Sequence, residues 1–185
     1  MLTEHAIRIA MGVEYDGSAF CGWQAQRDAR TVQRALETAI ARVADHPLRV
    51  HCAGRTDAGV HAVEQVIHFD TGARRPSRAW VLGTNVNLPA DVAVAWAQPV
   101  PAGLHARLSA LARHYRYRIR CRPTRPALER GRAVWVHRPL DVERTQAAAR
   151  QLVGEHDFSS FRALACQAKS PVRQVYYCRL DRRGE

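Results

Sequence analysis

The order in which hydrophobic periodicity changes along residues 7–100 constrains the fold of this chain most strongly. Apolar side chains alternate with polar or small ones over 7–15, as in a half-buried strand, and recur at helical spacing over 32–43. Two strand candidates (48–53 and 63–70), a helix from 77 to about 86 and a strand over 92–99 follow. This β-α-β-β-α-β order predicts a ferredoxin-like (split βαβ, RRM-like) unit over residues 1–100, with an antiparallel sheet, both helices on one face and the other face free.

A second pattern of the same kind begins after a linker at 99–103. Tyr115, Tyr117 and Ile119 alternate with basic residues in a predicted strand, and we expect Tyr117 and Ile119 to face a core. A helix is predicted over 141–153 and a strand over 173–180. Residues 104–185 are therefore predicted to form a second, incomplete ferredoxin-like unit whose last strand has an uncovered edge. The predicted class is α+β, with two antiparallel sheets.

Positive charge is concentrated in the second half of the chain. The net charge is +11; residues 1–100 contain ten Lys/Arg and ten Asp/Glu, whereas residues 101–185 contain eighteen and seven. Such a basic field favours a polyanionic partner, because neutralised phosphates release counterions. Only Lys169 among the 28 basic residues is a lysine, and arginine suits RNA because its planar group pairs with phosphate and stacks on bases. Genomic composition is an equal explanation for the arginine bias itself.

Targeting signals and cysteines indicate where in the cell the protein is expected and whether its cysteines are oxidised. No signal-peptide h-region and no long apolar run are present, so the sequence predicts a cytoplasmic protein that does not associate with a membrane. The cysteines are odd in number, scattered and without a C-x-x-C pair, which predicts reduced thiols and no zinc site. They are Cys21, Cys52, Cys121, Cys166 and Cys178.

The segment G-R-T-D-A-G-V-H-A at residues 54–62 lies between two predicted strands. Its glycines permit a tight backbone path that presents Asp57 into a cleft, where Arg55 would help to keep the carboxylate ionised. This is the environment of a nucleophile. The structural alternative is that Asp57 only makes an Asx-turn in a D-A-G loop.

Two further segments could bind RNA. The loop at residues 15–26 contains Trp23, Gln24 and Gln26, which could stack on or hydrogen-bond to unpaired bases, unless Trp23 is simply a core residue under the loop. The segment at 105–117 interleaves cations with aromatic residues, so one face could stack on a base while the other holds phosphate. Arg107, Arg113 and Tyr115 are the candidates there.

Together these segments resemble the tRNA pseudouridine synthase A (TruA) family in order and spacing. The matching motifs are Y-D-G-x-x-F-x-G-W-Q-x-Q at 15–26, G-R-T-D-A-G-V-H-A at 54–62, and H-A-R at 105–107 followed by R-x-Y-x-Y at 113–117. Matches at 85–89 and 157–162 extend the resemblance over essentially all 185 residues. Leu104 and His114 depart from the family's usual residues.

The resemblance implies an activity and roles for individual residues. Family members isomerise uridines at positions 38–40 of the tRNA anticodon stem-loop to pseudouridine, without a cofactor or metal, and work as homodimers. Asp57 falls on the catalytic aspartate, Arg55 on an arginine that would fill the space left by the flipped nucleotide, and Tyr115 on the tyrosine that packs against the target base. Attack on C1′ and abstraction of a sugar proton both remain open as routes.

Two alternative hypotheses assign the chain to other functional classes. Family members continue past Glu185 through a segment with the basic partner of the catalytic aspartate, so the resemblance implies a C-terminally truncated chain. The first alternative is therefore a catalytically incomplete RNA-binding module. The second is a metal-dependent enzyme that uses His51, His61 and His68, although their spacing matches no recognised ligand pattern.

Overall fold

A computed structural model describes residues 6–162 and 170–183, and the chain divides into two units between Tyr117 and Arg118. The first unit contains the predicted strands and helices in the predicted order. Its sheet is antiparallel throughout, with the strand order β2-β3-β1-β4. The bounds are β1 Ile7–Tyr15, α1 Val32–Ala44, β2 His51–Cys52, β3 Ala62–Thr71, α2 Ser77–Asn87 and β4 Val92–Val100.

One face of this sheet forms the core with α1 and α2. The alternation along β1 buries Ile9, Met11 and Val13, and α1 contributes the buried side chains of Leu36 and Ile40 at helical spacing. Burying such side chains is the main favourable term in folding. The apolar residues that give the predicted strands and helices their periodicity therefore pack into one continuous core in the first unit.

The other face of the sheet is partly covered, so the prediction of a free face is wrong. The Arg8 guanidinium on β1 donates hydrogen bonds to the carbonyls of Ala102 and Leu104. The Ala106 N–H donates to Nδ1 of His68, a buried residue on β3, over 3.1 Å. The segment that follows β4 thus lies over β1 and β3. It is held there because Arg8 and His68 form hydrogen bonds with its backbone.

The second unit contains short elements. Its strands form two pairs: β5 with β6 is parallel, and β7 with β8 is antiparallel. The parallel pair departs from the prediction of purely antiparallel sheets. The bounds are β5 Ile119–Cys121, β6 Val134–Val136, α3 Val142–Arg150, β7 Gly154–Asp157 and β8 Val172–Val175.

Several predicted elements of this unit are longer than the observed ones. The predicted strand around Tyr115 begins only at Ile119, because β5 pairs with β6 over just three residues and alternation alone supplies no partner. Tyr117 and Ile119 are 74% and 37% exposed, so their predicted burial in a core is wrong. The helix ends at Arg150 rather than 153, and β8 ends at Val175 rather than 180.

Two further observations concern membrane-spanning helices and the cysteines. No helix in the described ranges is long and apolar enough to cross a membrane. Cys21, Cys52, Cys121 and Cys178 are free thiols, which confirms the prediction of reduced cysteines for these four. Cys166 and Lys169 lie outside the described residues.

Candidate active site

The connection from β2 to β3, here called the Asp57 loop (residues 53–61), presents the candidate catalytic carboxylate. The Val60 N–H donates to the Asp57 carbonyl over 3.2 Å, and Gly59 between them has a φ of 80°, as the third position of a type II turn requires. The turn is therefore closed by the Asp57 backbone. Asp57 is exposed, and within the described ranges its carboxylate accepts no hydrogen bond, so the predicted Asx-turn alternative is not formed.

The start of the loop is held by a buried amide. Gln65, on β3 and 8% exposed, accepts a hydrogen bond from the Gly54 N–H over 3.1 Å and donates one to the Gly54 carbonyl over 2.5 Å. The Ala53 N–H also donates to the Val66 carbonyl over 2.8 Å. These bonds extend the β2–β3 pairing beyond Cys52 to the residue just before Arg55.

The residue before Asp57 is fixed through both its backbone and its side chain. The Thr56 carbonyl accepts a hydrogen bond from the Trp23 N–H over 2.9 Å. Thr56 Oγ1 lies 2.8 Å from the hydroxyl of Tyr15, the last residue of β1. Tyr15 is 2% exposed, and this burial raises the pKa of its phenol. The ends of β1 and β3 thus support the backbone that leads into Asp57.

A second loop, residues 16–26, packs its backbone against the Asp57 loop. Gly22 has a φ of 84°, and a Cβ added there would lie 3.2 Å from the Asp57 carbonyl carbon. The Gly17 N–H donates to His61 Nδ1 over 3.2 Å, and the Gly59 N–H donates to the Phe20 carbonyl over 3.4 Å. Glycine is required where backbones approach this closely. The first two sequence motifs therefore meet in space.

Trp23 lies in the core, whereas the neighbouring amide side chains of Gln24 and Gln26 are half-buried and exposed, respectively. Trp23 is 2% exposed and belongs to the core, with its ring centroid 6.1 Å from that of Tyr15, so the core alternative is confirmed. Gln24 Nε2 donates to Gln33 Oε1 over 2.8 Å, and Gln26 Nε2 donates to the Cys21 carbonyl over 3.1 Å. These side chains stabilise the loop, since their polar groups are paired within the protein.

Three of the predicted arginines gather at the start of the Asp57 loop. The Arg113 guanidinium donates to the Ala53 carbonyl from Nε over 3.1 Å and from Nη2 over 2.6 Å. Arg55 and Arg107 are exposed and act electrostatically on the Cys52 thiol, lowering its pKa, although burial outweighs them and raises that pKa to about 11. The surroundings of the Asp57 loop are therefore strongly cationic, which suits contact with phosphate.

Tyr115 lies two residues beyond the Arg113 contact, within the first unit. Its side chain is 83% exposed, in the stretch 111–118 that has no regular secondary structure. An aromatic ring with this exposure offers a face on which a base can stack. Its predicted role against the target base stays a prediction.

The three histidines considered as metal ligands lie in two separate places in the first unit. His51 and His68 stack with ring centroids 5.0 Å apart, and His105 lies edge-on to His68 at 4.6 Å. His61 is bonded to Gly17 at the other loop. No group of three His, Cys, Asp or Glu side chains in the described part of the chain could hold a metal ion. The alternative with His51, His61 and His68 as metal ligands is therefore not supported by their placement.

Three residues that support the site were not predicted from the sequence. They are Tyr15, Thr56 and Gln65. Tyr15 continues the inward alternation of β1 and so is indistinguishable from a core residue. Gln65 offers a usable signal, because it is a polar residue at an inward-facing position of β3, two residues before the buried Ile67. A buried amide at such a position implies a specific hydrogen-bond partner.

Fold and site together define an α+β protein that presents one carboxylate on an anchored turn, in a loop whose start is surrounded by arginines. The chain belongs to the tRNA pseudouridine synthase family, whose model matches residues 11–107 and 148–185. It is 58% identical over 179 residues to "tRNA pseudouridine synthase A" of Methylococcus capsulatus, covering 97% of this chain and 66% of that protein. Proteins of the same name from Nitrosococcus oceani and Pseudomonas aeruginosa are 57% and 56% identical, covering 97% and 96% of this chain and 69% and 62% of their own lengths. The chain thus spans about two thirds of the length of these relatives.

Proposed function

We propose that the protein isomerises uridines at positions 38–40 of the tRNA anticodon stem-loop to pseudouridine, with Asp57 as the catalytic carboxylate. The observation that carries the proposal is the exposed Asp57 on an anchored turn, in a loop that begins among arginines and lies inside the segment matched by the family model. The names of the relatives, "tRNA pseudouridine synthase A", support the reaction and the substrate class.

The reaction is an isomerisation and needs no external reactant. The C1′–N1 bond of the uridine breaks, a C1′–C5 bond forms, C5 loses its proton and N1 gains one. An ionised oxygen near the ribose can act in two ways: it attacks C1′ to give an ester, or it removes a ribose proton to give a glycal. The exposed carboxylate of Asp57 is accessible for either route.

Arg55, Arg107, Arg113 and Tyr115 are proposed to bind the RNA. A uridine in a helical stem must be extruded before its ribose can reach a carboxylate. Arg55, two residues before Asp57 and exposed, is proposed to occupy the vacated position, and the exposed ring of Tyr115 to support the extruded base. Arg107 and Arg113 are proposed to contact phosphates beside the Asp57 loop, since guanidinium groups pair well with phosphate oxygens. Gln24 and Gln26 stay proposed RNA contacts, because their side chains are half-buried and exposed, whereas the buried Trp23 is proposed to act only by shaping its loop.

The finer architecture and assembly belong to the same proposal. We assign residues 1–100 to a ferredoxin-like unit, supported by the sheet order β2-β3-β1-β4 and its antiparallel pairing. The second, incomplete unit, predicted from the sequence over residues 104–185, is assigned to the part of the chain after Tyr117, because the chain divides between Tyr117 and Arg118. A cytoplasmic homodimer that uses no cofactor is proposed from the family resemblance.

Pseudouridine formation on unmodified tRNA tests the proposal. The substrate would be a transcript with uridines at positions 38–40, and the control a transcript with cytidines there, with binding of both measured at several salt concentrations. We expect product only from the first and similar, salt-sensitive binding of both, because phosphate contacts dominate affinity. Salt-sensitive binding of both without any product would instead support the alternative, a catalytically incomplete RNA-binding module.

A further inference from the structure

We infer that Tyr15, Thr56 and Gln65 form a positioning network that fixes the backbone from which the Asp57 side chain projects. This inference rests on the proposed function, because it assigns the network to the reaction at Asp57. None of the three is proposed to touch the substrate. Tyr15 and Gln65 are 2% and 8% exposed, so they act through the backbone of the Asp57 loop.

The network connects two strands of the sheet to two points on the loop. The Tyr15 hydroxyl, at the end of β1, lies 2.8 Å from Thr56 Oγ1, and the nearby Gln65 side chain acts to lower the pKa of the Tyr15 phenol. Gln65, on β3, holds Gly54 through both its N–H and its carbonyl. The loop is therefore tied to the sheet at Gly54, one residue before Arg55, and at the Thr56 side chain, one residue before Asp57. The Thr56 carbonyl also accepts the Trp23 N–H of the neighbouring loop.

Two features indicate positioning rather than stability alone. First, the Asp57 carboxylate accepts no hydrogen bond within the described ranges, so the backbone on either side of it is what fixes the position of its Cα–Cβ bond. Second, the network places three polar side chains where apolar ones would fill the same space, and buried polar groups are costly unless all are paired. A displacement of about 1 Å can reduce the rate of a positioned reaction by roughly 100-fold. A precisely held loop is what such a reaction requires.

Removing single hydroxyl groups tests this network with little change of shape. The variants are Tyr15→Phe, Thr56→Val and the double variant, with Thr56→Ser restoring the hydroxyl. Thr84→Val is the matched control: Thr84 is fully buried in α2, and its hydroxyl has no hydrogen-bond partner among the described residues. All are assayed for pseudouridine formation on unmodified tRNA.

We expect Tyr15→Phe and Thr56→Val each to lower kcat roughly tenfold or more while KM and tRNA binding stay unchanged. The double variant is expected to match the single variants, because one bond is lost in each case. Thr56→Ser is expected to recover most of the rate, and Thr84→Val to retain it. Additive losses in the double variant, or an unchanged kcat in the single variants, would overturn the inference.

Amide hydrogen exchange on the free protein gives a second readout that is independent of turnover. In Tyr15→Phe and Thr56→Val, exchange at the Trp23 and Gly54 N–H groups should rise about tenfold, with paired amides of β1 and β3 unchanged. Unchanged exchange at both groups, or a general rise across the sheet, would contradict a local network. If the wild-type chain forms no pseudouridine, the proposed function fails, and the exchange data alone decide whether the network holds the loop.

Discussion

The backbones of Gly22 and Thr56 are in direct contact. Gly22 has a φ of 84°, and a Cβ added to it would lie 2.9 Å from the Thr56 carbonyl oxygen and 3.2 Å from the Ala58 nitrogen. The contact joins the 16–26 loop to the Asp57 loop beside the candidate carboxylate. Both the conformation and the space therefore call for glycine at position 22.

Gly22→Ala is expected to destabilise the protein by about 1–3 kcal/mol, because the added methyl group is strained in this conformation and meets backbone atoms. Pseudouridine formation should fall further than stability alone explains, since the Asp57 loop must shift. Urea unfolding and a tRNA turnover assay measure the two effects. Gly103→Ala is the control, because a Cβ at Gly103 meets nothing within 4 Å. Equal stability of the two variants would contradict this account of Gly22.

The cysteines are expected to differ in reactivity towards iodoacetamide. Cys52 is 9% exposed and burial raises the pKa of its thiol to about 11, so little reactive thiolate is present near pH 8. Cys21 and Cys121 are exposed. Peptide mass spectrometry after brief labelling should show modification of Cys21 and Cys121 well before Cys52, and a denatured sample should lose the difference. Labelling of native Cys52 as fast as Cys21 would show that its burial is wrong.

Stability is expected to fall as the pH is lowered from about 6.5 towards 4. Burial, followed by the nearby charges of Arg8 and His105, lowers the pKa of His68 to about 4 from the ordinary histidine value of 6.5. Between these values the unfolded chain binds a proton that the folded chain does not, so acid favours unfolding. His51, whose pKa is also lowered, adds to the same trend, whereas Asp70 opposes the lowering at both histidines.

Urea unfolding of the wild type and of His68→Asn between pH 4 and 8 measures this trend. Asparagine retains a polar group that can accept the Ala106 N–H, but it cannot titrate, so the variant should show a weaker loss of stability towards pH 4. His137→Asn, at an exposed position, serves as the control and should keep the wild-type pH dependence. An identical pH dependence in all three proteins would contradict the role of His68.

Trp23→Ala is expected to cost about 3–5 kcal/mol of stability, because it removes a large side chain that is 2% exposed. Trp135→Ala, at a position that is 42% exposed, should cost clearly less. Denaturant unfolding of both variants provides the comparison. A small loss for Trp23→Ala with a large loss of tRNA affinity would instead favour the binding role suggested by its motif.

The first unit was predictable from sequence where local periodicity and burial agree. The alternation of β1 and the helical spacing of α1 report directly on the faces that meet in the core. The position of Asp57 between two strands was predictable for the same reason. The inward orientation of Trp23 was not, since a loop residue has no periodicity that distinguishes core from surface.

Other features depend on contacts between residues distant in sequence. The predicted strand at Tyr115 fails because alternation specifies two faces but no partner strand. The attachment of Ala106 to His68 spans 38 residues, and no local pattern indicates it. The alternation of β1 makes Tyr15 look like an ordinary core side chain. Only the contact of its hydroxyl with Thr56 identifies it as part of the site.

The most direct test of the central claim is pseudouridine formation on unmodified tRNA by the wild type, Asp57→Asn and Asp28→Asn. Asp28 is an exposed aspartate outside the candidate site, so its variant controls for the loss of one negative charge. We predict product from the wild type and Asp28→Asn, none from Asp57→Asn, and tRNA binding by all three, because removing a negative charge weakens no phosphate contact. Turnover by Asp57→Asn close to that of the wild type would contradict the assignment of Asp57 as the catalytic carboxylate.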